Sequence, residues 1–439
     1  MKHNILCILL CATMIYGIKA SENDNGTSSE IENALRIEMP KEKENFTWTK
    51  PLIIDSNNHD FDTVSTFKFQ ENITYKPSQQ YVYPLTYTDY PAAIIIAKDN
   101  ITIDFAGYAL SLDPSSASNF MVNNPTYGIA VYQGVKNLKI ISTNQNKKGT
   151  ISGFCGYAIY ANGLNQSYNN YDMYSNMIKN LIIDNLLITQ NINGVYIAHA
   201  IDINVSNLDI IYNYAPRIVT GIYCLDILSG VIASCKTNQN FSYTDVFGVV
   251  LQDTTDVQVT RCQANANRSL KHGSAIGFLI TALTAIKSAG NQITSCIANR
   301  NLCSLIAGKK AIGFSIKNLS HHNSIEDCTS FLSSHIPGIP SGTHPMGIGF
   351  EIDNGFFNQI NRNRSGYHDT YGFSDTALIS SSFWSQNVSM LNTTSNYNVA
   401  VPTNTGPIAL PVTLLYAADL NAFTGSGPQL VNLSVEFTT

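Results

Sequence analysis

Charge is scarce in this chain: 13% of its 439 residues are Asp, Glu, Lys or Arg, against about 25% in ordinary soluble domains. Lysine and arginine are scattered and the net charge is −5, so there is no basic stripe to follow nucleic acid and no polybasic run for a membrane surface. No CxxC pair occurs, which removes zinc-ribbon and thioredoxin-like readings. No HExxH or similar metal motif occurs either. After the first twenty or so positions no apolar run is long enough to span a bilayer. Solubility therefore rests on Asn, Ser, Thr and Tyr.

What is present begins with "MKHNILCILLCATMIYGIKA". A weakly basic start, an apolar stretch from Ile5 to Ile18 and the small Ala20 read as a secretory signal peptide over 1–20, with an N-terminal anchor as the alternative. Cys11 follows Leu10, not the small residue that a lipoprotein signal prefers. The expected product is secreted or surface-exposed, with a virion or cell envelope included. Residues 21–47 read as a flexible polar leader with one short helix near 29–38. Seven cysteines remain outside the signal: Cys155, Cys224, Cys235, Cys262, Cys296, Cys303 and Cys328. An odd count argues against a fully paired disulfide framework.

From Trp48 onward, short apolar runs alternate with Asn, Gly and Asp, the punctuation of strands. Glycine-led segments then recur: "GYAIYA" at Gly156, "GVYIAH" at Gly194, "GIYCLD" at Gly221, "GVVLQD" at Gly248, "GFLITA" at Gly277, "GFSIKN" at Gly313, "GFEIDN" at Gly349 and "GFSDTA" at Gly372, with "GIAVYQ" at Gly128 a candidate opener. The first and third residues after Gly are apolar and the second and fourth are freer, the period of a half-buried strand. A second short strand leads to a Cys or Asn in "DVQVTRC", "NQITSC", "NSIEDC" and "NQINRN". No unit covers its own apolar face, so units must stack. Phe278, Phe314, Phe350 and Phe373 are then expected to lie over one another.

These units, with "DNITIDFAGYALSL" at 99–112, resemble the pectin-lyase-like superfamily. The resemblance implies an all-β fold, a single-stranded right-handed parallel β-helix with N- and C-terminal caps. Residues 48–90 are expected to form the N-terminal cap, 91–376 the solenoid, and 377–439 a C-terminal cap or a segment for homo-oligomer assembly. Function does not follow, because the fold hosts lyases, hydrolases, epimerases, adhesins and tailspikes. Polygalacturonase signatures (Asn-Thr-Asp, Asp-Asp, Gly-His-Gly, Arg-Ile-Lys) are missing. Arg217, Arg261 and Arg268 sit in no pectate-lyase motif. Cys235, Cys262, Cys296 and Cys328 are expected at one corner of successive coils, as buried free thiols or as bridges such as Cys235–Cys262. Nearby asparagines should bond turn backbone as a ladder.

Three features carry candidate chemistry. The fifth residue after each Gly forms a column of Ala161, His199, Asp226, Asp253, Ala282, Asn318 and Asn354. Stacked Asp226 and Asp253, with His199 one coil away, suit acid/base cleavage of a glycosidic bond or a Ca²⁺ site. Equally, Asp, Asn and His cap turns. Tyr160, Tyr196 and Tyr223 fall at outward positions, where rings can stack on sugars or simply reflect β propensity. Late histidines (His321, His322, His335, His344, His368) read as loop residues, and the Pro/Gly loop 333–347 as a groove wall. Sequons occur at Asn72, Asn100, Asn204, Asn240, Asn318 and Asn387. No metal or other cofactor is called for beyond the Ca²⁺ alternative. The leading expectation is binding of a polysaccharide or cell-surface glycan without catalysis. The alternatives are a polysaccharide lyase or glycoside hydrolase and a structural fibre or envelope component.

Overall fold

The computed structural model describes residues 46–55, 65–77, 92–116, 126–163, 176–283, 288–304, 308–335, 346–376 and 382–399. The expected signal peptide, the expected leader helix near 29–38, most of loop 333–347 and everything beyond 399 lie outside the described residues. No helix among the described residues is long and apolar enough to cross a membrane.

The chain is a parallel β-helix. Strand pairing among the described residues is parallel and joins each coil to the next. Asn193–Ser206 pairs with Val219–Ala233, which pairs with Val246–Gln252 and Thr255–Thr260. Lys310–Lys317 pairs in turn with Met346–Asp353 and that strand with Tyr371–Asp375. Pairing also includes strands nearer both ends of the described residues. Phe46–Trp48, Leu52–Asp55 and Thr66–Lys68 already pair with later strands, and Phe383–Ser385, Val388–Met390 and Ser395–Val399 continue the ladders. Within 48–90 and 377–399 the described strands pair in the same parallel ladders as the strands between them.

Register explains the glycines. An added Cβ at Gly248, Gly277, Gly313 or Gly349 would stand only 2.4–2.6 Å from the carbonyl oxygen of the glycine one coil on. Only a residue without a side chain lets successive backbones approach there. Gly128 does open the column, facing the Ala158 carbonyl oxygen at 2.5 Å. Gly156 does not belong to it. Ile159 pairs with Val195, so Ala158 takes the place opposite Gly194, two residues later than the sequence alignment put it.

Beside this column the apolar positions stack like on like. Phe278, Phe314, Phe350 and Phe373 are buried, with successive ring centroids 4.9, 4.8 and 5.0 Å apart. That is the coil spacing of about 4.8 Å. One continuous apolar core runs from Ile54 to Trp384.

Corners need their inward backbone N–H groups paired. Asn213, Asn240 and Asn267 supply a side-chain oxygen to the backbone N–H of Asn191, Asn213 and Asn240 at 2.9, 3.1 and 3.2 Å. A second ladder uses Asn291, Asn323 and Asn358. The cysteine column does the same work with sulfur. The N–H groups of Cys235, Cys262 and Cys296 donate to the Sγ of Cys262, Cys296 and Cys328 at 3.4, 3.3 and 3.4 Å. Asn363 then takes over, accepting from Cys328 N–H at 2.8 Å. All seven described cysteines are buried and outside any disulfide.

His368 is a rung too, not a loop histidine. Its Nδ1 accepts the Ser333 N–H at 3.1 Å and its Nε2 donates to the Ser330 carbonyl at 3.0 Å. Burial lowers its pKa from 6.5 to about 4 against the opposing pull of those bonds. The unfolded chain therefore gains a proton near pH 6.5 that the native state takes up only near pH 4. Stability from this group is present above pH 6.5 and is lost as pH falls toward 4, by roughly 3 kcal/mol in total. Urea titrations across that window should show the slope in the parent chain and a flatter one in His368→Asn; equal slopes would refute the assignment.

Several sequons fall on these ladders. Asn240 and Asn387 are buried, and their Nδ2 atoms donate to Ile210 and Ile360 carbonyls. Asn267, Asn363 and Asn392, each with Ser or Thr two residues on, are buried as well. A glycan on such a nitrogen removes a donor and needs space the core lacks. Expression through a glycosylating secretory pathway should lower the folded yield, and removal of the sequon hydroxyls should restore it. Recovery of cooperatively folding chain bearing a glycan at Asn240 would count against this.

Candidate functional site

Two outward features of the main ladder meet near Tyr223. The first is the fifth-position column. His199, Asp226, Asp253, Asn318 and Asn354 all adopt positive φ, +53°, +52°, +51°, +54° and +60°, where Asn, Asp and His are enriched. This is the corner that ends the strand. Register makes Asp226 and Asp253 stacked neighbours, since Leu225 pairs with Gln252, and His199 precedes them by one coil. Ala161 is out of the column; Gly163 stands opposite His199.

The column is less open than an external position implies, because Asp226 and Asp253 are buried and His199 is half-buried. His199 Nδ1 lies 2.9 Å from Asp226 Oδ2. Asp253 Oδ1 accepts the Leu283 N–H at 2.8 Å, which makes it a rung between coils. In a two-carboxylate mechanism one carboxyl protonates the leaving oxygen while the other attacks or activates water. Here one carboxylate is engaged by an imidazole and the other by backbone. His199 Nε2 has no hydrogen-bond partner among the described residues, which leaves it open to carry a proton. No group of three or more His, Cys, Asp or Glu side chains among the described residues is arranged to hold a metal ion.

The second feature is the tyrosine column. Tyr160, Tyr196 and Tyr223 share one register position. Their rings stack on one another, Tyr160 to Tyr196 at 5.0 Å and Tyr196 to Tyr223 at 5.4 Å, with interplanar angles of 9° and 14°. Tyr127 covers the other face of Tyr160 at 4.6 Å. Both faces of Tyr160 and Tyr196 are therefore occupied by neighbouring rings, and neither can take a sugar face to face. Tyr223 is different. Its partner on the next coil is Val250, smaller than the ring, and this step down opens a groove of about 450 Å³. Tyr196, Tyr223, Phe247, Val250, Gln252 and Leu279 line it, with Tyr157, Asn193, Ile218, Thr220 and Thr281 completing the wall. The Tyr223 hydroxyl donates to Gln252 Oε1. Burial first, then the charge of Asp253, pushes the Tyr223 phenol above its usual range.

Sequence reasoning found Tyr196 and Tyr223 but missed Tyr157, Phe247 and Gln252. Phe247 directly precedes a repeat glycine and Gln252 sits fourth after it, so the signal lay in the repeat. Which of those outward residues face a cavity depends on the side-chain size one coil away. A second groove of about 420 Å³, bordered by Asp256, Gln292, His322, Glu326, Phe357 and Gln359, lies on the next strand ladder. There His321 and His322 form a pair, Nδ1 to Nδ1 2.8 Å, stacked near Phe356 and Phe357.

No protein-family model matches the chain and no curated protein does. Similar solved structures include the alginate lyase of Paenibacillus sp. str. FPU-7, with a TM-score of 0.31, 9% identity and coverage of 70% of this chain and 92% of that one. PfbA, a surface adhesin of Streptococcus pneumoniae, gives 0.34 and 10%, covering 84% and 86%. The endo-xylogalacturonan hydrolase of Aspergillus tubingensis gives 0.29 and 13%, covering 79% and 90%. In this chain the fold itself rests on the strand register.

If the corner column is structural, Asp253→Ala strands the Leu283 N–H and costs about 1–3 kcal/mol in denaturant unfolding. The parent chain should then release neither reducing ends nor unsaturated products from a broad polysaccharide panel. Cleavage that disappears in His199→Ala would reverse that assignment.

Proposed function

We propose that this chain is a carbohydrate-binding β-helix of the exported or cell-surface class, which holds a saccharide in the groove beside Tyr223 without cleaving it. One observation carries the reading. The tyrosine stack ends in an aromatic face with only a valine beyond it, and amide and hydroxyl groups border the resulting groove. An apolar platform with a few polar groups at its edge is what a sugar ring presents in complement, since its C–H face is apolar and its rim is hydroxylated. Parallel coils also repeat their outward positions at a fixed spacing, so a chain-like ligand can run along the solenoid.

The His199–Asp226 contact favours a second reading, in which the same bound chain is cleaved and His199 Nε2 carries the proton. Engagement of Asp253 by the Leu283 N–H makes this the weaker of the two.

Titration calorimetry against a glycan panel tests the binding reading. Tyr223→Ala should weaken binding at least about tenfold, equivalent to ~1.4 kcal/mol. Tyr160→Ala, whose ring faces are both covered, should change it less than about twofold once its folding has been checked by circular dichroism. Equal losses in the two variants would contradict the groove as the site.

A further inference from the structure

Among the described residues, the groove beside Tyr223 is lined by no charged side chain: its lining consists of tyrosine, phenylalanine, aliphatic, amide and threonine side chains. Charges around it are arranged against an anion. Asp253 adjoins Gln252 and acts on the Tyr223 phenol, and Asp226 lies one coil before it. Two lysines of the neighbouring coil, Lys310 and Lys317, are committed elsewhere. Lys310 and Lys317 reach the buried Glu351 at 2.5 and 3.3 Å. Burial alone would raise the Glu351 pKa, yet the two ammonium groups outweigh it and hold the carboxylate ionised. Arg217 adjoins Ile218 in the chain but is exposed, where water screens it.

Two donors in the groove point to what takes the anion's place. Asn193 accepts the Thr220 N–H through Oδ1 at 2.8 Å, and Gln252 accepts the Tyr223 hydroxyl through Oε1. Both amides are thereby oriented. Their NH₂ groups have no hydrogen-bond partner among the described residues. An amide NH₂ satisfies a hydroxyl or ring oxygen fully, whereas a carboxylate brought into an uncharged groove loses hydration without gaining a cation.

Resting on the glycan-binding reading above, we propose that the groove selects neutral sugars and rejects uronates, with the C–H face of a neutral ring over Tyr223 and Val250 and its oxygens on the amides of Asn193 and Gln252. Selectivity here comes from an absent cation as much as from the contacts made.

Calorimetry with full-length chain and length-matched oligosaccharides tests this, using neutral xylo-, manno- and gluco-oligomers against oligogalacturonate and oligomannuronate, each with and without Ca²⁺. At least one neutral series should bind tenfold or more tighter than either uronate. Gln252→Lys should narrow that gap by strengthening uronate binding, and paired Asn193→Ala and Gln252→Ala changes should weaken neutral binding about tenfold. Uronate binding that equals or exceeds neutral binding and is lost in Tyr223→Ala or Arg217→Ala overturns the selectivity and leaves the glycan reading standing. If no saccharide of either class binds, the glycan reading falls and the selectivity with it.

Discussion

Every coil of this protein can bury its apolar side chains only against the coils before and after it, at a spacing of about 4.8 Å. That one distance dictates the rest. It leaves no room for a Cβ at Gly248, Gly277, Gly313 or Gly349, where the next glycine's carbonyl oxygen stands about 2.5 Å from where one would be. It is also close to the contact distance of stacked aromatic rings, so phenylalanine can follow phenylalanine inside and tyrosine can follow tyrosine outside. The repeat in the sequence is the trace of this steric rule.

The same spacing leaves a corner N–H in each coil facing the interior, and three chemistries answer it. Asparagine oxygen, cysteine sulfur and one imidazole nitrogen each accept the backbone proton of the preceding coil. A Cys and an Asn are interchangeable in such a column because each offers a short side chain with an acceptor and a donor. Residues that resemble catalytic or metal-binding groups in isolation are thus absorbed into the architecture. His368 and Asp253 are examples, and the sequon residue Asn240 is another.

The candidate site arises where the stacking rule is relaxed. So long as tyrosine follows tyrosine, the outer face is sealed by its own rings. When Val250 follows Tyr223, the rule still holds for the backbone but not for side-chain volume, and a groove appears. Charge follows a similar logic nearby, since Lys310 and Lys317 converge on Glu351.

Sequence alone determined the solenoid, because period-two burial, recurring glycines and the phenylalanine series are each local patterns with one stacked solution. It also put the cysteines in a column and Tyr160, Tyr196 and Tyr223 in another. It misplaced Gly156 by two residues, since Ala158 takes the place of a glycine there. Whether a stacked tyrosine offers a face, or a stacked aspartate a free oxygen, depends on the side chain one coil away. Those neighbours lie 27 residues apart for His199 and Asp226 and 29 for Tyr223 and Gln252. Only the tertiary register brings them together, so only the tertiary structure could decide between platform and plug.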